Sequence, residues 1–262
     1  MPKIFIVVPA YNEEEGLPRV LEEIHGVLTE KGYEYLFIVV NDGSRDHTRQ
    51  VAEEYAEKFP VEIINHEPNK GVGAVFRNGL TRAAELAAPD DVLLTTEGDN
   101  TCDPAIFTAM IRHIEEGCDA VAATRYEKGG RIDGFPPMRR VYSWTVNTML
   151  RVMYPIRGIS DYSIFMRAYR ADLIRRSIAY YGVDWIESPG FVSNAEILIK
   201  SRVFKPRCAS VPMYYRYQVK SGGSKLKVGK TIAGYFQFFR RLARTRKKYA
   251  GTPLPEPRSP VA

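Results

Sequence analysis

Short apolar runs alternate with longer stretches of helical periodicity over the first 125 residues. Lys3 to Val8, Tyr35 to Val40, Val61 to Asn65, Asp91 to Thr96 and Asp119 to Thr124 are rich in β-branched side chains, which predicts buried strands. Between them, Glu14 to Glu30, Asp46 to Lys58, Val72 to Ala88 and Pro104 to Glu116 carry helical patterns. Asp46 is placed to cap the second helix, and Asp103 before Pro104 reads as an N-cap followed by proline at the first helical position. Strands alternating with helices predict an α/β fold with right-handed crossovers and a mostly parallel sheet covered on both faces. Ligands of such sheets sit at the carboxyl ends of the strands, so the chemistry is expected there.

The rhythm changes after Arg125. Gly129, Gly130, Gly134 and Pro136-Pro137 mark a loop, and Met138 to Arg151 then reads as helix. Further helices are expected over Ala171 to Tyr180 and Phe191 to Ser201, with a strand near Cys208 to Tyr214. From Lys230 to Tyr249, Ile232, Tyr235, Phe236, Phe239 and Leu242 recur at helical spacing, with Arg240, Arg241, Arg244, Lys247 and Lys248 largely off that stripe. The predicted organisation is a catalytic unit over 1–228, a basic amphipathic helix over 229–250 and a disordered proline-rich tail over 251–262.

Charge sharpens this division. Residues 1–196 hold 30 acidic and 21 basic side chains, whereas residues 197–255 hold 15 basic and none acidic. A basic block interleaved with aromatics points to an anionic partner: nucleic acid, a phosphorylated substrate or an anionic membrane face. The acidic first 196 residues disfavour a nucleic-acid-binding module, and no nucleic-acid partner is expected. No run approaches the roughly 18–20 apolar residues of a membrane span. The N-terminal run Ile4 to Val8 is only strand length, so a cytoplasmic protein is expected, peripheral at the cytoplasmic face of a membrane. Cys102, Cys118 and Cys208 follow no metal-ligand spacing and read as free thiols.

Polar clusters stand where the early strands end. The first strand runs into Pro9-Ala10-Tyr11-Asn12-Glu13, the second into Asn41-Asp42-Gly43-Ser44-Arg45-Asp46 and the fourth into Glu97-Gly98-Asp99. These turns would pool carboxylates along one edge of the sheet. Pooled carboxylates repel unless a cation joins them, and a hard divalent ion that also binds a diphosphate meets that need. For Asp46 and Asp103 helix capping suffices; for Asp42, Glu97 and Asp99 the position favours function.

With these turns come Asn69-Lys70-Gly71, Arg77-Asn78-Gly79, Thr124-Arg125-Tyr126, Arg139-Arg140, Asp161-Tyr162, Arg167-Ala168-Tyr169, Phe191 with Glu196, and Ser224-Lys225-Leu226. In this order the sequence resembles the family 2 inverting glycosyltransferases of the GT-A fold, and among them the polyprenyl-phosphate (dolichol-phosphate) mannosyltransferases. The resemblance covers roughly residues 3–228. It implies that Pro9, Tyr11 and Glu13 frame a nucleotide, that Asn41 and Asp42 lie at its base, and that Lys70 and Arg77 help hold it. It also implies that Glu97, Gly98 and Asp99 occupy the place of the family's Asp-x-Asp, with Glu97 and Asp99 binding Mg²⁺ or Mn²⁺. Arg125 and Arg139 would grip an acceptor phosphate, with Lys225 as a further candidate; planar guanidinium forks suit phosphate oxygens. Two positions depart from the pattern. Glu97 is one methylene longer than the usual aspartate, and Asn41 replaces an aspartate beside the base, which leaves the donor open between GDP-mannose and UDP-sugars.

The implied reaction is an in-line displacement at the anomeric carbon with inversion. A phosphate acceptor is largely dianionic at neutral pH and needs no general base. An alcohol acceptor would need one, and Asp161 or Glu196 are the candidates. The basic C-terminal helix is expected to contact an anionic membrane and bring the site to a lipid phosphate, and a membrane-bound partner subunit fits the same reading. Three readings stay open beside it: a same-fold transferase with a soluble acceptor, a nucleotidyltransferase, and a non-catalytic sugar-nucleotide-binding subunit. A nucleotidyltransferase would release pyrophosphate, and the chain shows no convincing Gly-rich start after the first strand.

Overall fold

The computed structural model describes residues 1–98, 103–216 and 228–256, the side chains of 228–230 excepted. The first part follows the predicted alternation: β1 (Ile4–Ala10), α1 (Gly16–Glu30), β2 (Tyr35–Asn41), α2 (Thr48–Ala56), β3 (Val61–Asn65), α3 (Val72–Leu86), β4 (Val92–Thr95), α4 (Ile106–Glu115) and β5 (Ala120–Thr124). Then come β6 (Arg131–Asp133), α5 (Pro137–Met153), β7 (Arg167–Arg170), α6 (Ala171–Tyr181), α7 (Val192–Ser201), β8 (Cys208–Pro212), β9 (Tyr214–Arg216) and α8 (Val228–Lys248).

Seven strands form one sheet in the order β3-β2-β1-β4-β7-β5-β8. All pairs are parallel except those made by β7, which runs antiparallel to both β4 and β5. Along β1, Ile4, Ile6 and Val8 join the cluster under α1, α2 and α4, while Phe5 and Val7 join the cluster under α3 and α6. Both faces of the strand are buried, which is why its sequence is apolar without alternation. Each such side chain contributes roughly 1.5–3 kcal/mol by leaving water. The pairing matches Ala10 with Asn41, Asn41 with Asn65, and Val7 with Thr95, so the carboxyl ends of β1, β2 and β4 lie together on one edge.

Four features depart from expectation. β7 was not predicted: it is short and carries two arginines, yet Arg167 is 1 % exposed. Its two terminal nitrogens are bonded internally, Nη1 donating to the Asn194 carbonyl and the Tyr169 hydroxyl and Nη2 to the Tyr162 carbonyl. The loop predicted around Gly129–Pro137 contains β6, and the strand predicted over Cys208–Tyr214 breaks at Met213 so that β9 pairs with β6 in a separate ribbon. Asp46 does not open α2, which begins at Thr48; its carboxylate instead accepts from the Thr48 amide (3.1 Å) and hydroxyl (2.5 Å). Asp103 likewise accepts from Ala105, just ahead of α4.

The fourth departure is the inner row of α8. Tyr235, Phe238, Leu242 and Thr245 are buried, the three apolar ones in a third cluster with Val146 and Leu150 of α5 and Val192, Ala195 and Leu198 of α7. Of the predicted stripe, Tyr235 and Leu242 are buried and Phe239 packs against the same cluster, whereas Ile232 is 41 % and Phe236 68 % exposed. The helix therefore packs on α5 and α7 through a face rotated from the one read in the sequence.

Candidate active site

A cavity of about 600 Å³ opens where the strands end. One wall comes from the turns after β1, β2 and β4, with Pro9, Tyr11, Glu13, Asp42, Glu97 and Gly98. The facing wall brings Arg125 from the end of β5, Arg139, Tyr142, Ser143 and Val146 from α5, and Tyr235 from α8. The resemblance-derived positions thus converge, with exceptions described below.

The first wall is braced by side chains that accept backbone amides of neighbouring turns. Asn12, at φ +50°, receives the Arg45 amide on Oδ1 (2.9 Å), and the Thr48 hydroxyl receives the Glu13 amide (2.8 Å). Asp42 is buried and saturated: Oδ1 accepts the Lys70 amide, Oδ2 the Gly71 amide, and His66 Nδ1 lies 2.7 Å from Oδ1. Asn78 donates to His66 Nε2 at 2.9 Å, which leaves Nδ1 to carry the proton toward Asp42. Asp42 therefore shapes the 66–71 turn. Asn41 is also turned inward, bonded to Asn65 and to the Ser44 amide, and Lys70 enters this network through its backbone.

Gly98 carries the fourth-strand turn against the first, because a Cβ there would lie 2.3 Å from the Pro9 carbonyl oxygen. Glu97 reaches the cavity and accepts the Tyr215 hydroxyl at 3.1 Å. Asp99, its expected partner on a metal, and Lys225 lie outside the described residues. Among the described residues no three His, Cys, Asp or Glu side chains converge as a metal centre. The donor chemistry still fits a hard ion, since Glu97 and Glu13 present carboxylates to the same cavity.

On the opposite wall Arg125 is 9 % exposed and held from behind. Nε and Nη2 bond Asp161 at 2.8 and 3.1 Å, and Nη2 also reaches the Ser163 and Ser143 hydroxyls. Burial works against its charge, but the Asp161 carboxylate more than offsets this and raises the Arg125 pKa. Burial likewise opposes charge on Asp161, yet Arg125 and the Ser163 amide and hydroxyl hold its pKa below the ordinary carboxylate value. The Arg125 guanidinium lies 5.7 Å from the centroid of the Tyr215 ring. One tyrosine thus separates a carboxylate on the first wall from a buried cation on the second.

The two candidate bases do not line this cavity. Asp161 stands behind Arg125 with its oxygens occupied, and Glu196 stands behind the segment before α7. Glu196 is fully buried, pairs with Lys200 at 2.7 Å and accepts the Glu187 and Ser188 amides. Arg77 is also off the wall, donating to the Ile186 carbonyl, and Arg241 of α8 donates to the Glu187 carbonyl and Ser188 hydroxyl. These groups hold Ile186 to Ser188, and Pro189, Gly190 and Phe191 that follow line the cavity. Gly73 lets that segment approach α3, since a Cβ there would lie 1.8 Å from the Ser188 carbonyl oxygen.

Sequence reasoning missed the aromatic part of the site: Tyr142, Phe165, Tyr215 and Tyr235 all border the cavity. Nothing in local spacing singles out a lining tyrosine from a core one. Cys118 and Cys208 are free thiols, and burial pushes the Cys208 thiol up to about 12, which disfavours its thiolate.

The profile described as "Glycosyl transferase family 2" matches residues 5–177, most of the chain and both walls up to Arg125, Arg139 and Asp161. The chain belongs to glycosyl transferase family 2. A dolichol-phosphate mannosyltransferase of Pyrococcus furiosus is 31 % identical over 241 residues, 92 % of this chain and 63 % of its own length. This family 2 chain therefore spans less than two thirds of that relative. An undecaprenyl-phosphate mannosyltransferase of Micrococcus luteus is 27 % identical over 87 % of this chain and 88 % of its own. Among solved structures, glucosyl-3-phosphoglycerate synthase from Mycobacterium tuberculosis, crystallised with Mn²⁺, UDP and phosphoglyceric acid, superposes with a TM-score of 0.65 at 18 % identity, over 93 % of this chain and 78 % of that one. That likeness shows the GT-A fold.

Proposed function

We propose that this family 2 glycosyltransferase moves a sugar from a nucleoside diphosphate sugar to a polyprenyl phosphate, inverting the anomeric carbon. The observation that carries the reading is the facing pair: the Glu97 carboxylate and the Arg125 guanidinium on either side of Tyr215, in one cavity. The relatives named for dolichol-phosphate and undecaprenyl-phosphate transfer support the acceptor class. Glu97 and Asp99 would hold Mg²⁺ or Mn²⁺, which when bound offsets charge on the diphosphate.

The chain's own residues then divide the work. Tyr11 and Glu13 border the nucleotide side, and Pro189 to Phe191 bound the cavity opposite α3. Arg125, with its Nε and Nη2 fixed by Asp161 and Ser163, presents a cation already oriented for a phosphate; Arg139 adds a second. An acceptor phosphate oxygen attacks the anomeric carbon as the bond to the donor diphosphate breaks, and the nucleoside diphosphate leaves with that electron pair. A dianionic acceptor has no proton to lose, which agrees with the burial of Asp161 and Glu196 away from the cavity. The reaction would take place at an anionic membrane face; among the described residues no helix is long and apolar enough to cross a membrane.

Nucleoside diphosphate release from GDP-, UDP- and dTDP-sugars, with Mg²⁺ or Mn²⁺ and with or without polyprenyl phosphate, tests this. Metal-dependent release from one donor, raised by the lipid and lost in Asp99→Ala, is expected. Transfer to a water-soluble acceptor with no response to polyprenyl phosphate would overturn it.

A further inference from the structure

Tyr215 belongs by its backbone to the wall that carries Arg125 and by its hydroxyl to the wall that carries Glu97. Its strand, β9, leaves the end of β5, where the Met213 amide donates to the Thr124 carbonyl at 2.9 Å. The Arg131 amide donates to the Met213 carbonyl at 2.9 Å, and Ile132 of β6 then pairs with Tyr215. Gly130 permits this return, since a Cβ there would lie 2.8 Å from the Arg125 carbonyl carbon. The ribbon is thereby fixed to the strand end from which Arg125 projects.

The ring is enclosed like a core residue. Tyr215 is 7 % exposed, shares the cluster under α1, α2 and α4 with Met213, and meets Phe135 edge-on at 6.0 Å between centroids. A tyrosine buried in this way bonds through its hydroxyl, and here the acceptor is Glu97 Oε2, 118 residues away in sequence. The carboxylate is the part that needs the bond. Glu97 follows the end of β4, and its turn is set by the close approach of Gly98 to Pro9, but its side chain has one more rotatable bond than an aspartate. Ordering such a chain costs conformational entropy, and a hydrogen bond from a rigid donor to a charged oxygen orders it before any ligand arrives. An aspartate at 97 would end one methylene short of the hydroxyl, so the two side chains are matched in length.

We propose that Tyr215 is a positioning residue for Glu97, its hydroxyl setting the carboxylate where it holds the divalent ion with the nucleoside diphosphate. The proposal rests on the transferase reading only for the identity of that ligand. Binding itself is measured with no sugar turned over.

The test titrates the full chain with Mn²⁺ in the presence of GDP and, in parallel, of UDP, counting the free ion by electron paramagnetic resonance. Tyr215→Phe keeps the ring in its packing and removes only the hydroxyl. It should weaken Mn²⁺ binding by about three- to tenfold, with the donor KM raised by a similar factor and the acceptor KM unmoved. Glu97→Asp forms the second arm. It withdraws the carboxylate from the hydroxyl, so adding Tyr215→Phe to it should change Mn²⁺ binding by less than about twofold. Unchanged Mn²⁺ affinity in Tyr215→Phe would make the bond a mere tether between the walls and overturn the proposal. Equal losses in both backgrounds, or no Mn²⁺ binding by the wild type with either nucleotide, would overturn it as well. Mn²⁺ binding that responds to Tyr215→Phe in a protein that transfers no sugar would instead defeat the transferase reading and leave this one standing.

Discussion

The wall after β1, β2 and β4 and the wall formed by β5 and α5 meet the same cavity but are braced differently. The first is held by several bonds spread over different turns: Asn12 to the Arg45 amide, Thr48 to the Glu13 amide, and Asp42 to the Lys70 and Gly71 amides. The second hangs on one buried ion pair, Arg125 with Asp161. Distributed bracing tolerates single losses, whereas a single buried pair does not. The wall expected to hold the donor should therefore yield gradually to mutation, and the wall expected to hold the acceptor abruptly.

The largest effect is expected from Arg125→Met. It leaves Asp161 buried without its cation and should lower stability by about 3–5 kcal/mol, measured by urea unfolding, with transfer abolished. Adding Asp161→Leu should recover much of the stability and none of the transfer, which separates the pair's structural from its chemical role. Gly73→Ala comes next. Its Cβ would meet the Ser188 carbonyl oxygen, a backbone atom, so either α3 or the 186–190 segment must shift. A loss of about 1–3 kcal/mol is expected, with a raised KM for the donor. Thr48→Val, on the distributed wall, should lose only about 1 kcal/mol and little activity. Equal effects at Thr48 and Arg125 would break the comparison.

The pair also has a pH signature. Because the folded-state pKa of Asp161 is lowered from 3.8, its stabilisation is complete above that value and is lost as pH falls through the lower folded value. The stability gap between the wild type and Asp161→Asn should thus stay level from neutral pH to about 4 and narrow only in stronger acid. A gap that closes near neutrality would contradict the assignment.

Much of this was legible in the sequence because burial on both faces leaves a strong signature. β1, β2 and β3 could be read almost to the residue, and the turns after β1, β2 and β4 marked one wall before any geometry was known. β7 was hidden because its buried Arg167 is held through both terminal nitrogens by the carbonyls of Tyr162 and Asn194 and the Tyr169 hydroxyl, groups that no local window brings together. Asp161 and Glu196 looked like bases for the same reason: a carboxylate's role depends on donors such as Arg125, 36 residues away. The inner face of α8 was read in part: Tyr235, Phe239 and Leu242 do pack inward, but Phe236 and Phe238 are equally apolar, and only packing against α5 and α7 selects Phe238.

The central claim is that Glu97 serves the donor and Arg125 the acceptor across Tyr215. It is tested most directly by comparing donor hydrolysis without acceptor and transfer with polyprenyl phosphate in Glu97→Gln and Arg125→Lys. The lysine keeps a cation beside Asp161 but loses the fork. Glu97→Gln should depress both reactions together, and Arg125→Lys should depress transfer alone, raising the acceptor KM while leaving hydrolysis intact. Loss of hydrolysis in Arg125→Lys to the same degree as transfer would contradict this division of the site.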